Sequence, residues 1–583
     1  MSDGLNRRDF LKTAGVGAAA LAVPGTRADG KPAARRRPNV VLVMTDDQGY
    51  GDLACHGNPV IQTPHLDRLY AQSVRLTDFH VCPTCSPTRG ALMTGRYSLR
   101  VGIWHTIMGR SILRADEVTM GNVFSASAYR TGVFGKWHLG DNFPYRPQDR
   151  GFGQTLIHGG GGVGQTPDYW GNDYFDDTYF HKGRPEKFTG YCTDVFFDGA
   201  MRFIEANKDR PFFCYLPTNA PHGPYNVDEK YSKPYRDKGV KGPRANFYGM
   251  ITNIDENMGR LMRRLKELGL EENTVLIFMT DNGSSGGGFG AGMRGKKGSQ
   301  YDGGHRVPCF IRWPDGGLGG GRDVNRLTAH IDLLPTLIEL CGLTQPDGVT
   351  FDGVSLVPLL KGRADHWPDR AVCVDVQRVE HPIKWRRCAV MTDRWRLIDG
   401  KALYDIKADP GQKKDLAGGH PDVVKRLRNA YERWWAGVSE CFDEYCEIVV
   451  GSQQAGAVRL ACHDWHGPKV PWNQQAIRSG MQANGFWAIR VARGGEYEFA
   501  LRRWPVEVDK PITAAIPGGK AIAATQARLK IGDIDMTQPV AENAAAVTFK
   551  VRLEAGKTRL QTWFTDDKGA SRGAYYVYVK RLP

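Results

Sequence analysis

Cys85-Ser86-Pro87-Thr88-Arg89-Gly90-Ala91-Leu92-Met93-Thr94-Gly95-Arg96 is the stretch of this chain from which the rest is read. A cysteine precedes what reads as a helix, and an arginine follows one turn later. Helix N-termini carry unsatisfied N–H groups and the positive end of the macrodipole, so this is a place for an anion. Cys82 makes the segment a Cys-Pro-Thr-Cys as well, which admits a redox or zinc reading. A structural zinc needs two further ligands at matching spacing, and no second Cys-x-x-Cys occurs in the sequence. A thioredoxin-like pair would leave Arg89, Arg96 and the Thr-Gly between them without a purpose.

Working outward, apolar runs end in polar residues. Val40-Val41-Leu42-Val43-Met44 reads as a buried strand and delivers Asp46 and Asp47 at its carboxyl end. Val275-Leu276-Ile277-Phe278-Met279 is a second such run, ending in Asp281-Asn282-Gly283. By itself that tripeptide is also the composition of a turn. Four oxygen-bearing side chains from two strand ends suit a hard divalent cation such as Ca²⁺. Basic residues follow other runs. Gly135-Lys136-Trp137-His138-Leu139-Gly140 succeeds a short strand at Thr131 to Phe134, and Ala220-Pro221-His222-Gly223 succeeds Phe212 to Leu216. Met293-Arg294-Gly295-Lys296-Lys297-Gly298 leads to Tyr301-Asp302-Gly303-Gly304. Strands alternate with helices. Thr63-Pro64 reads as an N-cap and first helical position, and apolar residues recurring from Ile254 to Leu268 read as a helical face closed by Gly269. This order predicts an α/β fold, a central mixed, largely parallel sheet flanked by helices, with ligands beyond the carboxyl ends of the strands.

Taken together, these six elements closely resemble the sulfatase family (formylglycine-dependent, alkaline phosphatase superfamily) over about residues 38 to 435. The resemblance implies that Cys85 is oxidised after translation, by a formylglycine-generating enzyme, to an aldehyde whose hydrate is the nucleophile. It implies a Ca²⁺ held by Asp46, Asp47, Asp281, Asn282 and the modified Cys85. It implies that Lys136, Lys297 and His222 neutralise the oxygens of a sulfate ester, that Arg89 holds the hydrate, and that Asp281 assists deprotonation of the attacking hydroxyl. His138 is then the base that releases sulfate, and His222 and Lys297 are candidates to protonate the leaving alkoxide. Lys296 departs from the family's usual glycine, so the neighbouring lysine stays an alternative to Lys297. The expected reaction is sulfate ester hydrolysis on a sulfated carbohydrate or aryl sulfate. A phosphate or phosphonate ester hydrolase of the same superfamily and a catalytically silent glycan-binding protein are the other readings.

Asn6-Arg7-Arg8-Asp9-Phe10-Leu11-Lys12 before an apolar stretch to Val23 resembles a twin-arginine export signal, with residues 1–28 removed after Ala28. That run is too short to span a bilayer. Partners would be the twin-arginine export machinery and the substrate, in the periplasm or outside the cell. With 583 residues the chain is expected to form several domains: a catalytic domain over 38–370, a small α+β subdomain over 371–440 and a β-rich accessory domain over 444–583. The net charge of +15 comes from dispersed lysines and arginines; with export it argues against nucleic acid and is compatible with an anionic polysaccharide. Cys441 and Cys446 are a possible local disulfide among twelve cysteines. In the tail, 486–491 and 497–501 around Arg493-Gly494-Gly495, and 546–553 and 558–564 around Ala555-Gly556, read as two hairpins of a β-sandwich. The aromatic and acidic stretch from Pro167 to Phe180 suits either a sugar site or a packed surface loop. Neither Gly159 to Gly162 nor Gly286 to Gly292 has the completion of a nucleotide loop.

Overall fold

Five consecutive apolar residues, Val40 to Met44, need cover on both faces. In the computed structural model, which describes residues 37–363, 365 and 367–583, they lie in the middle of a ten-stranded sheet. Its strands are β1 (Asn39–Thr45), β2 (Val74–His80), β3 (Arg130–Lys136), β4 (Gln154–His158), β5 (Thr178–His181), β6 (Arg184–Lys187), β7 (Phe212–Pro217), β8 (Thr274–Thr280), β9 (Cys309–Arg312) and β10 (Arg322–Ala329). They are ordered β10-β2-β9-β8-β1-β7-β3-β4-β5-β6. The central strands β8, β1, β7, β3 and β4 are mutually parallel, while β9, β5 and β6 run antiparallel to their neighbours. Val40, Leu42 and Met44 enter one hydrophobic core and Val41 and Val43 the other, as the alternation of a strand requires. Helices cover both faces. The expected signal segment, residues 1–28, lies outside the described residues.

Register places the site. Thr45 pairs with Thr280, Met44 with Pro217 and Lys136 with His158, so the residues that follow five parallel strands emerge at one edge. The helix Cys85–Thr94 is buried along its whole length and ends at Gly95, whose left-handed φ of 67° lets its N–H reach the Ala91 carbonyl. Thr63 does sit at a helix N-cap, but its hydroxyl donates to Asp67 at 3.0 Å rather than capping the backbone. The helix expected from Ile254 starts earlier, as Pro243–Glu267.

A four-stranded antiparallel sheet follows, β11 (Val372–Asp375), β12 (Cys388–Met391), β13 (Trp395–Ile398) and β14 (Ala402–Asp405). One face packs Val372, Val374, Ala389 and Met391 against Ala91, Leu327 and Ile331 of the main body. The other packs Cys373, Val390 and Leu397 on Leu427 and Tyr431 of the helix Pro421–Val438. From β13, Arg396 enters the main body, fully buried, 3.1 Å from Asp302 and 2.7 Å from Asp78. His80 completes this network, 3.0 Å from Asp78 and 2.9 Å from His305.

The tail strands are β15 (Ile448–Val450), β16 (Val458–Ala461), β17 (Phe486–Val491), β18 (Gly495–Arg502), β19 (Gln526–Ile531), β20 (Ile534–Pro539), β21 (Val547–Leu553), β22 (Gly556–Thr565), β23 (Ser571–Arg572) and β24 (Tyr576–Arg581). They form a six-stranded sheet, β15-β17-β22-β19-β20 with β23 beside β22, and a four-stranded sheet, β16-β24-β18-β21. Trp487, Ile489 and Leu560 from the first share a core with Tyr497, Phe499 and Phe549 from the second. The two expected hairpins do not form. At residues 492–494 and again at 554–555 the chain crosses from one sheet to the other, so β17 pairs with β22 and β18 with β21. Gly495 and Gly556 begin the receiving strands at φ 144° and 145°, values at which a side chain is disfavoured. Such corners use the same residues as a tight turn. The expected Cys441–Cys446 bridge is absent as well: both thiols are free, and the Cys441 thiol faces the Leu99 carbonyl at 3.3 Å.

Arg396→Met should strand two buried carboxylates, Asp78 and Asp302, and cost about 3–5 kcal/mol. A lowered denaturant midpoint for unfolding of the main body checks this; an unchanged midpoint would mean the network carries no stability.

Candidate active site

Asp46 and Asp47 continue β1 past Thr45, the Asp46 N–H donating to the Ala220 carbonyl at 3.2 Å. Asp47 takes a left-handed φ of 66°, and its N–H donates to the Asp281 carboxylate at 3.0 Å. Asp281 continues β8, its N–H bonded to the Thr45 carbonyl. Asp46, Asp47, Asp281 and Asn282 are all buried. Each carboxylate faces a cation: Lys136 Nζ is 2.5 Å from Asp46, Lys297 Nζ 2.5 Å from Asp47, and Arg89 2.7 Å from Asp281. Arg89 also donates to the Lys136 carbonyl at 2.8 Å, which ties the Cys85 helix to β3. Lys297 is the lysine that reaches the cluster; Lys296 is exposed. His222 lies 3.8 Å from Asp47, beyond hydrogen-bond range.

Cys85 opens its helix in this cluster. Its sulfur lies within 4.8 Å of ligand atoms of Asp46 and Asp281 on one side and of Asp47 and His222 on the other. Burial pushes its thiol up to about 11, against the opposing pull of Lys136 and Lys297. An unmodified Cys85 is therefore a neutral thiol at neutral pH, and the thiolate is the nucleophilic form. Burial would raise Asp47, but Lys297, His222 and Lys136 together hold it below the usual carboxylate range. Asp281 goes the other way, to about 6, through burial and the charge of Asp46. Burial brings His222 down to about 3, although Asp47 opposes this. Burial, then Lys136, lowers His138 far below its ordinary value.

One carboxylate oxygen of Asp46 and the side-chain oxygen of Asn282 are buried without a hydrogen-bond partner. Leaving a buried acceptor unsatisfied costs about 1–3 kcal/mol. Two such oxygens beside the Asp47 and Asp281 carboxylates are the donor set of a hard cation, so the residues fit Ca²⁺.

His138 stands at φ 61° with Nε2 donating to the Thr106 carbonyl at 2.9 Å, which leaves Nδ1 as the lone-pair nitrogen. The glycine run beside it is explained by space. A Cβ on Gly161 would lie 2.3 Å from the His138 ring, and one on Gly162 would be 3.5 Å from His222. One residue here was not found by sequence reasoning. His158, in register with Lys136, is buried with Nε2 unpartnered, and its only sequence signal was its place at a strand end. Tyr174 donates to the His222 carbonyl at 2.5 Å. It belongs to the 167–180 stretch, which packs as a scaffold: Asp168, Tyr174, Asp177 and Tyr179 are buried.

The family model described as Sulfatase matches residues 38–343, and that described as N-sulphoglucosamine sulphohydrolase, C-terminal, matches 295–434. A twin-arginine translocation pathway signal sequence matches 4–24. Arylsulfatase A of Homo sapiens is 34% identical over 462 residues, 68% of this chain and 87% of that protein. Steryl-sulfatase of Mus musculus is 29% identical over 483 residues, 67% of this chain and 74% of that protein. The solved structure of Ps i-CgsB in complex with k-i-k-neocarrahexaose superposes with a TM-score of 0.64 at 27% identity, over 71% of this chain and 95% of that one. Among the described residues no helix is long and apolar enough to cross a membrane.

Gly161→Ala should displace the His138 ring and lower kcat for an aryl sulfate by about a hundredfold, the size of effect a small misplacement produces. Unchanged kcat in the folded variant would show that this contact is not needed.

Proposed function

The chain belongs to the sulfatase family and is a sulfuric ester hydrolase, and from that premise we propose that it removes sulfate from carbohydrates with a formylglycine made from Cys85 and a Ca²⁺ ion. The observation that carries this reading is the buried cluster around Cys85, in which three carboxylates and the unpartnered oxygens of Asp46 and Asn282 surround a thiol too weakly acidic to act as a thiolate. The twin-arginine signal directs export, and the enzyme acts in the periplasm or outside the cell. A formylglycine-generating enzyme would modify Cys85 before export. We assign 38–370 to catalysis, 371–440 to the subdomain bracing it and 444–583 to the accessory β-region.

Ca²⁺ would be held by Asp46, Asp47, Asp281, Asn282 and the modified residue 85, and when bound it supplies positive charge against the sulfate oxygens. Formylglycine supplies, as its hydrate, two hydroxyls on one carbon, one to meet sulfur and one whose deprotonation frees sulfate. The remaining work falls to the chain. Lys136, Lys297 and Arg89 form a preorganised cationic wall, usually the largest catalytic contribution where negative charge develops. Asp281, ion-paired with Arg89 at 2.7 Å, is the candidate to assist deprotonation of the attacking hydroxyl. His138 Nδ1, an unpartnered lone pair, accepts a proton from the second hydroxyl. Lys297 is the candidate to protonate the leaving alkoxide; His222, brought down to about 3, is neutral at neutral pH and is left the role of contacting the ester. Sugar as substrate is supported by the structural neighbour solved with neocarrahexaose.

The test is sulfate release from aryl sulfates and a panel of sulfated oligosaccharides and polysaccharides, with matched phosphate esters, by enzyme co-produced with a formylglycine-generating enzyme. Sulfate release lost in Cys85→Ala is expected; preferential cleavage of phosphate esters would overturn the substrate assignment. For the metal, Ca²⁺ at a hundred times its Kd should stabilise the protein by about 2.7 kcal/mol. This should appear as a raised unfolding temperature, removed by chelator and absent in Asp46→Ala. An identical shift in that variant would place the ion elsewhere.

A further inference from the structure

The last of the buried polar groups near the site comes from the tail. His463 and Asp464 sit in a short turn, Cys462–Asp464, directly after β16. His463 is 1% exposed, and its ring centre lies 6.2 Å from that of His138. Its Nδ1 is 3.1 Å from the Asp464 carboxylate, which keeps a proton on that nitrogen and the lone pair on Nε2. Nε2 is buried and has no hydrogen-bond partner, as is true of Nδ1 of His138. Two neighbouring imidazoles thus each spend one nitrogen on a fixed acceptor and leave the other free.

The tail also grips the loop on which His138 depends. Thr106 supplies the carbonyl for His138, and two residues on, the Met108 N–H donates to the His463 carbonyl at 2.9 Å. Gly109 is pressed so close that a Cβ there would lie 2.4 Å from the His466 ring. Met108, Ile112 and Tyr145 of the catalytic part are built into the tail's own hydrophobic core. Behind the pair, Asp464 and Asp141 line a cavity of about 200 Å³ with Arg146 and Arg459.

We infer that the β-rich tail is part of the catalytic apparatus, the Asp464–His463 pair acting through His138 to carry away the proton that His138 collects. The inference rests on His138 being the base of the proposed reaction. The proton leaves the hydroxyl oxygen for His138 Nδ1. With the ring centres 6.2 Å apart, it passes through one bridging water to His463 Nε2. His463, its Nδ1 proton held by the Asp464 carboxylate, keeps the accepted proton on Nε2 and releases it to solvent as the products leave, so the Nδ1–H form is restored. The charged and titratable groups around this path are Lys136 and Arg89 beside His138, His105 beside His463, and Asp141 beside Asp464. Burial, Lys136, His463 and Arg89 all oppose a positive charge on His138. His463 is in these terms a positioning residue.

The experiment compares wild type, His463→Gln, His463→Ala and Asp464→Asn, all carrying formylglycine, on an aryl sulfate. The expected result is a kcat lowered roughly a hundredfold in His463→Gln with KM and unfolding temperature near those of wild type. Asp464→Asn should fall in the same direction, and free imidazole should restore rate to His463→Ala. Nitrogen-labelled histidine in an NMR experiment should show His463 as the Nδ1–H tautomer in wild type, altered in Asp464→Asn. A wild-type kcat in His463→Gln would overturn the inference. So would a rate loss that imidazole does not relieve, or an Nε2–H tautomer in wild type. A wild-type enzyme that releases no sulfate would strike the functional reading instead, and the tautomer measurement would still decide the pair.

Discussion

Asp46, Asp47 and Asp281 are buried together at the ends of two adjacent parallel strands, and the neutralisation of that charge organises the molecule. Three carboxylates so placed would repel strongly in a medium of low polarity. Lys136, Lys297 and Arg89 answer them one for one, and each arrives from a different element: β3, the loop ahead of Asp302, and the buried Cys85 helix. The sheet order β8-β1-β7-β3-β4 brings these elements to one edge. The second sheet then braces the lysine loop through Arg396 on Asp302. What remains unsatisfied after this pairing, an oxygen each from Asp46 and Asn282, is what a cation would take.

How much of this could be read from the chain follows from the range of each interaction. The central strands β1, β3, β7 and β8 were legible as apolar runs, and with them Asp46, Asp47, Lys136 and Asp281 at or just past their ends, whereas the polar outer strands such as Arg184–Lys187 carry no such signal. Lys297 could not be separated from Lys296 by pattern, and the ion pair with Asp47 separates them. The tail misled for a physical reason. Gly494-Gly495 and Ala555-Gly556 have turn composition, but a chain crossing between sheets needs the same residues as a hairpin, and the choice is made by distant partners, β22 for β17 and β21 for β18. The aromatic stretch 167–180 carried the side chains of a sugar site, yet Asp168 spends its carboxylate on the backbone N–H groups of Gly159 and Gly164, and Tyr174 on the carbonyl of His222. His463 gave no signal because nothing local to it marks its neighbour His138, some three hundred residues earlier.

These observations recast the tail. Its sandwich buries catalytic-part residues in its own core and sets a histidine beside His138, so a β-region that reads as an appendage in sequence shares the site's polar interior. Gly161 has a comparable role, leaving room for the His138 ring where a Cβ would lie 2.3 Å away.

The central claim is that residue 85 works as an aldehyde, and the most direct measurement is the mass of the peptide carrying position 85 in enzyme whose sulfate ester turnover has been determined on the same sample. An aldehyde in place of the thiol is expected, with turnover in proportion to its fraction. Full turnover from protein whose Cys85 is entirely unmodified would contradict it.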